Sequence, residues 1–216
     1  MFDRRHALAL AIGFAFTTGS AQAQDAASAF VVTYIEVAAK SAAATRGLLK
    51  TYTGVVAKRA GSIQFDAFER TDQPNHFAIV ETWANTKALE EHAATTAAKD
   101  FRTKITPLLS APYDERPHHA LSTGPKTVTK AGAIYAVTHV DIIPPKKDEG
   151  VASVKALADK SRGTPGSLRY DALTVNAGGS LQHFAGGSLQ HFAGGSLQHF
   201  AGRSVEVHPC GITSQH

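Results

Sequence analysis

A carboxylate, an indole and an imidazole stand within twelve residues of one another, at Glu81, Trp83 and His92. Alternate side chains of a strand share a face. In His76 to Trp83, read as a strand, the shared face is Phe77, Ile79, Glu81 and Trp83. Three of these are apolar, and a carboxylate among them costs free energy unless it is paired or used. An imidazole titrates near neutral pH and can take a proton from a substrate hydroxyl. The carboxylate can orient that imidazole or hydrogen-bond the substrate. An indole offers a flat apolar wall to an aromatic ring. Each residue also has a plainer reading. Trp83 can be core, His92 a hydrogen-bonded helix histidine, and Glu81 the partner of a backbone group or of a side chain at a dimer seam.

The elements that must position them follow from pattern. Gly61 to Trp83 reads as strand, turn, strand. Ile63 to Glu69 is rich in β-branched and aromatic residues, and Thr71 to Asn75 is turn chemistry around Pro74. Phe30 to Val37 is a preceding strand. Ala38 to Ala60 reads as a helix with Leu48, Tyr52 and Val55 or Val56 at helical spacing, stopped by Gly61. Asn85 can cap a second helix. Its inner stripe is Leu89, Ala93, Ala97, Phe101, Ile105 and Leu108, with His92 at the border. Pro112 ends this region, and Arg116 to Leu121 reads as a short last strand. The order β-α-β-β-α-β predicts a ferredoxin-like α+β fold, with both helices on one face of an antiparallel sheet. Glu81, Trp83 and His92 would then share one layer between helix and sheet.

After a linker near Ser122 to Pro125 the pattern restarts. Val137 to Ile142 resembles Val32 to Val37, and Gly166 to Leu173 resembles Gly61 to Phe68, both at an offset of 105. Two matches at one offset point to tandem duplication. Lys146 to Ser161 reads as the intervening helix. From Gly178 the unit Gly-Gly-Ser-Leu-Gln-His-Phe-Ala occurs three times, to Ala201. Gly-Gly pairs oppose helix and weaken strand. The expected organisation is a domain over 29–121, a partial second copy over 131–176, and a Gly-rich, irregular tail over 177–216. His183, His191 and His199 recur in that tail, but ordered metal sites use shorter fixed spacings, and no metal site is expected.

The 43% hydrophobic and 19% charged composition is that of a globular protein. The net charge of +4 is scattered, without a basic stripe, which argues against nucleic acid. Cys210 stands alone, so no intrachain disulfide can form. Arg4 and Arg5 precede an apolar run from Ala7 to Phe16, and Ala21-Gln22-Ala23 has the small-x-small form of a signal peptidase site. Cleavage after Ala23 would leave a periplasmic or secreted protein with no membrane association.

The Gly61 to Glu69 run, the Asn75 to Trp83 strand and Leu-Glu-Glu-His at Leu89 to His92 together resemble the antibiotic biosynthesis monooxygenase (ABM) domain. Glu-x-Trp with a His nine positions after the Trp is the most specific element. The resemblance implies a dimeric α/β barrel, formed as a homodimer or as a pseudo-dimer within one chain. It implies a cofactor-independent monooxygenase acting with dioxygen on a small quinol-like or phenolic substrate. Catalytic roles fall to His92, Glu81 and Trp83, with Tyr34, Phe65 and Phe101 completing a substrate cavity. The alternatives are a non-catalytic ligand-binding or dimerisation domain of the same fold, or a haem-binding relative. Haem-degrading members carry Asn after a first-strand Val-Thr; here Val32-Thr33 is followed by Tyr34, and the second copy has His139.

Overall fold

The computed structural model describes residues 28–130, 132–175, 180–187 and 204–209. The candidate signal segment and its Ala23 site lie outside the described residues. The first half comprises β1 (Ala29–Glu36), α1 (Ala42–Val56), β2 (Ser62–Arg70), β3 (His76–Trp83), α2 (Thr86–Ala93), α3 (Thr96–Ile105) and β4 (Asp114–Ser122). The second comprises β5 (Ile134–Asp141), α4 (Lys147–Arg162), β6 (Ser167–Thr174), β7 (Ser180–Gly187) and β8 (Ser204–Pro209).

All strand pairs are antiparallel, and the eight strands close in the order β1-β3-β2-β8-β5-β7-β6-β4. The first half contributes β4-β1-β3-β2 and the second β8-β5-β7-β6, which is the same arrangement. The seams are β4 on β6, with His119 opposite Thr174, and β2 on β8, with Glu69 opposite His208. The barrel therefore closes within one chain. The fold class is the expected ferredoxin-like α+β one.

The central strands are buried on both faces, so they read as nearly continuous apolar runs. On β1, Ala29 and Ile35 face the helices, while Phe30, Val32 and Tyr34 face the barrel interior. On β3, Phe77, Ile79 and Trp83 face the helices, as the alternation requires, and Ala78 and Val80 face inward. The interior is completed by Phe68 and, from the second half, Tyr135, Val137 and Leu173. Burying such side chains contributes about 1.5 to 3 kcal/mol each, which makes each half the other's core.

Two glycines 105 positions apart take positive φ, Gly61 at 79° and Gly166 at 85°. A Cβ on Gly61 would fall 2.5 Å from that of Ala88, so glycine there both ends the turn and admits α2. Asn85 caps α2 by accepting from the Ala88 N–H at 2.8 Å, as expected.

Several expectations are corrected. The single second helix is two, because Thr95 starts α3 afresh, accepting from the Ala98 N–H at 3.2 Å. This changes the helical phase, so His92 and Ala98 are buried rather than Ala93 and Ala97. The last strand starts at Asp114 rather than Arg116. Two stretches of the supposed irregular tail are strands: β7 pairs with β5 and β6, and β8 with β5 and β2. Backbone ladders need N–H and C=O groups more than particular side chains, so a Gly-rich repeat can supply a strand between two partners. His191 and His199 lie outside the described residues.

Candidate functional site

β3 brings Glu81 and Trp83 to the helix-facing side of the sheet two residues apart. The Trp83 Nε1–H donates to Glu81 Oε2 at 2.9 Å. The α2 cap and the break at Thr95 rotate His92 down onto that indole. The two rings stack at 4.6 Å with 26° between planes. Tyr52 arrives from α1, stacked on Phe101 of α3 at 4.0 Å and 4° and edge-on to Phe65 at 5.5 Å and 88°. Its hydroxyl lies 2.8 Å from His92 Nε2. Tyr52–His92 and Trp83–Glu81 are thus two hydrogen-bonded pairs joined by a ring stack.

Beside them lies a cavity of about 360 Å³ between sheet and helices, open to solvent on one side. Glu81, His92, Tyr52 and Phe101 line it, with Val31 and Leu89 as apolar wall. At its mouth, Arg102 on α3 donates to Glu115 on β4 at 3.0 Å, and its guanidinium sits 3.5 Å over the Tyr113 ring. Arg102 and Glu115 are each nearly half exposed, so this pair is a rim contact of little energetic weight.

Burial dominates the electrostatics. The Glu81 carboxyl is pushed up to about 7, mainly by desolvation; the Trp83 N–H opposes the shift and nearby Glu115 adds to it. His92 is held below its usual value by burial and then by Arg59, so it rests neutral at pH 7. Burial and the neighbouring Glu81 charge raise the Tyr52 hydroxyl well above the ordinary tyrosine value, so it stays protonated.

The expected trio converges, but its roles are redistributed. Trp83 is wholly buried behind His92 and does not line the cavity. Glu81 bonds the indole, and the imidazole is held by Tyr52 rather than by Glu81. Phe65 braces Tyr52 from the core instead of forming a wall. Tyr34 is a correction: it sits on the opposite face of β1, packed against the barrel interior, with the Arg116 guanidinium 5.3 Å from its ring. Strand alternation forbids it the same side as Val31. Sequence reasoning missed Tyr52, Tyr113, Arg102 and Glu115. Tyr52 had a signal, as a phenol with a polar tip on an otherwise apolar helical stripe.

Residues 28–104 match the model of the family described as antibiotic biosynthesis monooxygenase. A 54-residue segment is 37% identical to "Putative monooxygenase YcnE" of Bacillus subtilis (strain 168), covering 25% of this chain and 57% of that protein. The match thus spans little more than half of that relative. Two solved structures, each described as a "putative monooxygenase", share the architecture. The one from Fusobacterium nucleatum subsp. nucleatum ATCC 25586 has a TM-score of 0.78 at 15% identity, over 87% of this chain and 94% of that one. The one from Lactobacillus acidophilus NCFM has a TM-score of 0.72 at 10% identity, over 87% and 96%. At such identities the likeness is one of fold.

Proposed function

From the premise that residues 28–104 form an antibiotic biosynthesis monooxygenase domain, we propose that the protein oxidises a small quinol-like or phenolic compound with dioxygen. No flavin or metal takes part in this reading; that element rests on the family resemblance. The observation that carries the rest is the cavity of about 360 Å³ between sheet and helices on which Glu81, His92 and Tyr52 converge. It suits one small aromatic molecule among apolar walls.

The substrate must react as its anion. The neutral imidazole of His92 serves as the proton's destination. Glu81, titrating near neutrality, hydrogen-bonds a second oxygen of the substrate or of the dioxygen-derived product. Trp83 holds both, one through its face and one through its N–H. Val31, Leu89 and Phe101 give the ring an apolar bed, and Arg102, Glu115 and Tyr113 stand at the cavity's open side. Haem does not suit these residues: His92 Nε2 faces Tyr52, and Nδ1 is buried without a partner, so neither nitrogen is open to an iron atom. The residue after Val32-Thr33 is Tyr34, which faces away from the cavity. We place the working protein in the periplasm or outside the cell, on the N-terminal segment alone.

Oxygen uptake tests the reading, with 1,4-naphthohydroquinone and substituted phenols as probes. Consumption of dioxygen in step with product, reduced about 10²-fold or more in His92→Ala, is the expected result. Product that still forms without dioxygen overturns it. Binding without oxygen uptake, unchanged in Trp83→Ala, would leave a ligand-binding domain.

A further inference from the structure

Both nitrogens of the His92 imidazole are out of a substrate's reach. Nε2 is occupied by the Tyr52 hydroxyl at 2.8 Å. Nδ1 is buried with no hydrogen-bond partner and no exposed surface. The ring plane is covered on one side by Trp83 at 4.6 Å. Tyr52, by contrast, lines the cavity, and its ring is fixed by the stack on Phe101 and the edge contact with Phe65. A phenolic hydroxyl both donates and accepts, so it can face the imidazole and the cavity together.

We propose that Tyr52 is the residue that meets the substrate hydroxyl, and that His92 receives the proton only through it. This rests on the reading of the cavity as a phenol site. In the step, the substrate O–H bond breaks and its proton binds Tyr52 Oη. The proton already on Tyr52 passes to His92 Nε2. The substrate is left as its anion, His92 as imidazolium and Tyr52 as the neutral phenol it was before. No electron moves until dioxygen reacts with the anion. The desolvated Tyr52 is poorly suited to rest as tyrosinate, which favours both transfers occurring together. The imidazolium so formed lies against the face of Trp83, where a cation is attracted by the ring quadrupole. His92 is thereby a positioning residue and proton store, and Tyr52 the catalytic contact.

The test uses the full chain, with 4-nitrophenol as the binding probe and 1,4-naphthohydroquinone for turnover. Nitrogen NMR of His92 reports whether Nε2 gains a proton when the probe binds and ionises. The wild type should show this protonation. Tyr52→Phe, which keeps both ring contacts, should bind the probe yet lose the protonation, and kcat should fall about 10²-fold or more. If His92 is still protonated on binding in Tyr52→Phe, the substrate meets His92 directly and the relay is wrong. If the wild type binds no phenol, relay and functional reading both fall. Ionisation without oxygen uptake would uphold the relay and overturn the oxygenase. Should Tyr52→Phe unfold, 3-fluorotyrosine at position 52 keeps every contact while acidifying the hydroxyl. A moved pH profile of kcat then supports the relay, and an unmoved one refutes it.

Discussion

Among the described residues, the two halves share a strand order but not the site's side chains. In the first, Glu81 stands opposite Val31 and Trp83 opposite Ala29. In the second, Ala185 stands opposite Ala136 and Gly187 opposite Ile134, the positions 105 residues on. Tyr52 corresponds in the same way to Leu157. The acid, the indole and the phenol are thus replaced by alanine, glycine and leucine. What the second half retains is a helix packed on its strands, through Val154 and Ala158 on Tyr170 and Ala172, and half of the barrel interior. Closing a barrel asks for backbone partners and apolar bulk, and many sequences satisfy that. Holding a proton relay asks for particular side chains at particular positions. On the proposed reading, the difference divides the chain into a half that carries the site and a half that completes its partner's fold.

That division can be broken most severely at Arg169. It lies in the second half, almost fully buried, and donates to Asp171 at 2.5 Å and to Asp66 on β2 of the first half at 3.1 Å. Asp66 also accepts from Gln64 and from Thr129 of the linker, both at 2.6 Å, and Asp171 accepts from the Gly124 N–H at 2.9 Å. Arg169→Ala strands two buried carboxylates without their cation and should cost about 3 to 5 kcal/mol, read as a fall in the urea midpoint. The site half should lose oxygen uptake in the same transition. A loss of stability well under 1 kcal/mol would mean that the halves do not depend on this lock.

A smaller effect separates the halves by pH. The Glu81 carboxyl, ordinarily near 4.5, titrates at about 7 in the fold because burial disfavours its charge. The folded state therefore binds this proton more tightly than the unfolded chain does. The resulting stabilisation is complete below about pH 4.5 and is lost as pH rises through about 7. A shift of this size corresponds to about 3 kcal/mol. Glu81→Gln keeps an acceptor for the Trp83 N–H and cannot ionise. The variant should gain on the wild type by roughly that amount between pH 4 and 8 in denaturant titrations, while its oxygen uptake falls. A gap that does not change with pH would show that the carboxylate is not desolvated.

How much of this was legible from residues alone follows from the kind of order each feature needs. The first-half strands were readable because period-two alternation and turn chemistry are local, and Asn85 declared its helix start. The break at Thr95 was not, since the alanine-rich stretch from Ala93 to Ala98 fits an inner stripe in either of two phases. The strand at Ser180–Gly187 was hidden because its Gly-rich repeat has no strand signature and takes its order from β5 and β6 on either side. In the site, Glu81 was betrayed by its place among apolar neighbours. Tyr52 was counted as core because its partner, His92, lies 40 residues away on another helix. Tyr34 was assigned to the cavity because the sequence does not say which face of β1 meets the helices until both layers are assembled.

Tyr34 also supplies the mildest test, between the two faces of one strand rather than the two halves of the chain. Its ring belongs to the barrel interior beside Val32 and Tyr135, and the site lies across the sheet, against Val31. Tyr34→Phe keeps the ring that Arg116 approaches. It can remove only what the hydroxyl contributes, about 1 kcal/mol or less. The variant should melt close to the wild type and consume dioxygen at an unchanged kcat and KM, where Tyr52→Phe fails. If Tyr34→Phe instead lost most of its turnover with KM intact, the reacting groups would extend through the sheet into the barrel. The second half, which builds half of that interior, would then be a contributor to chemistry and not only to closure.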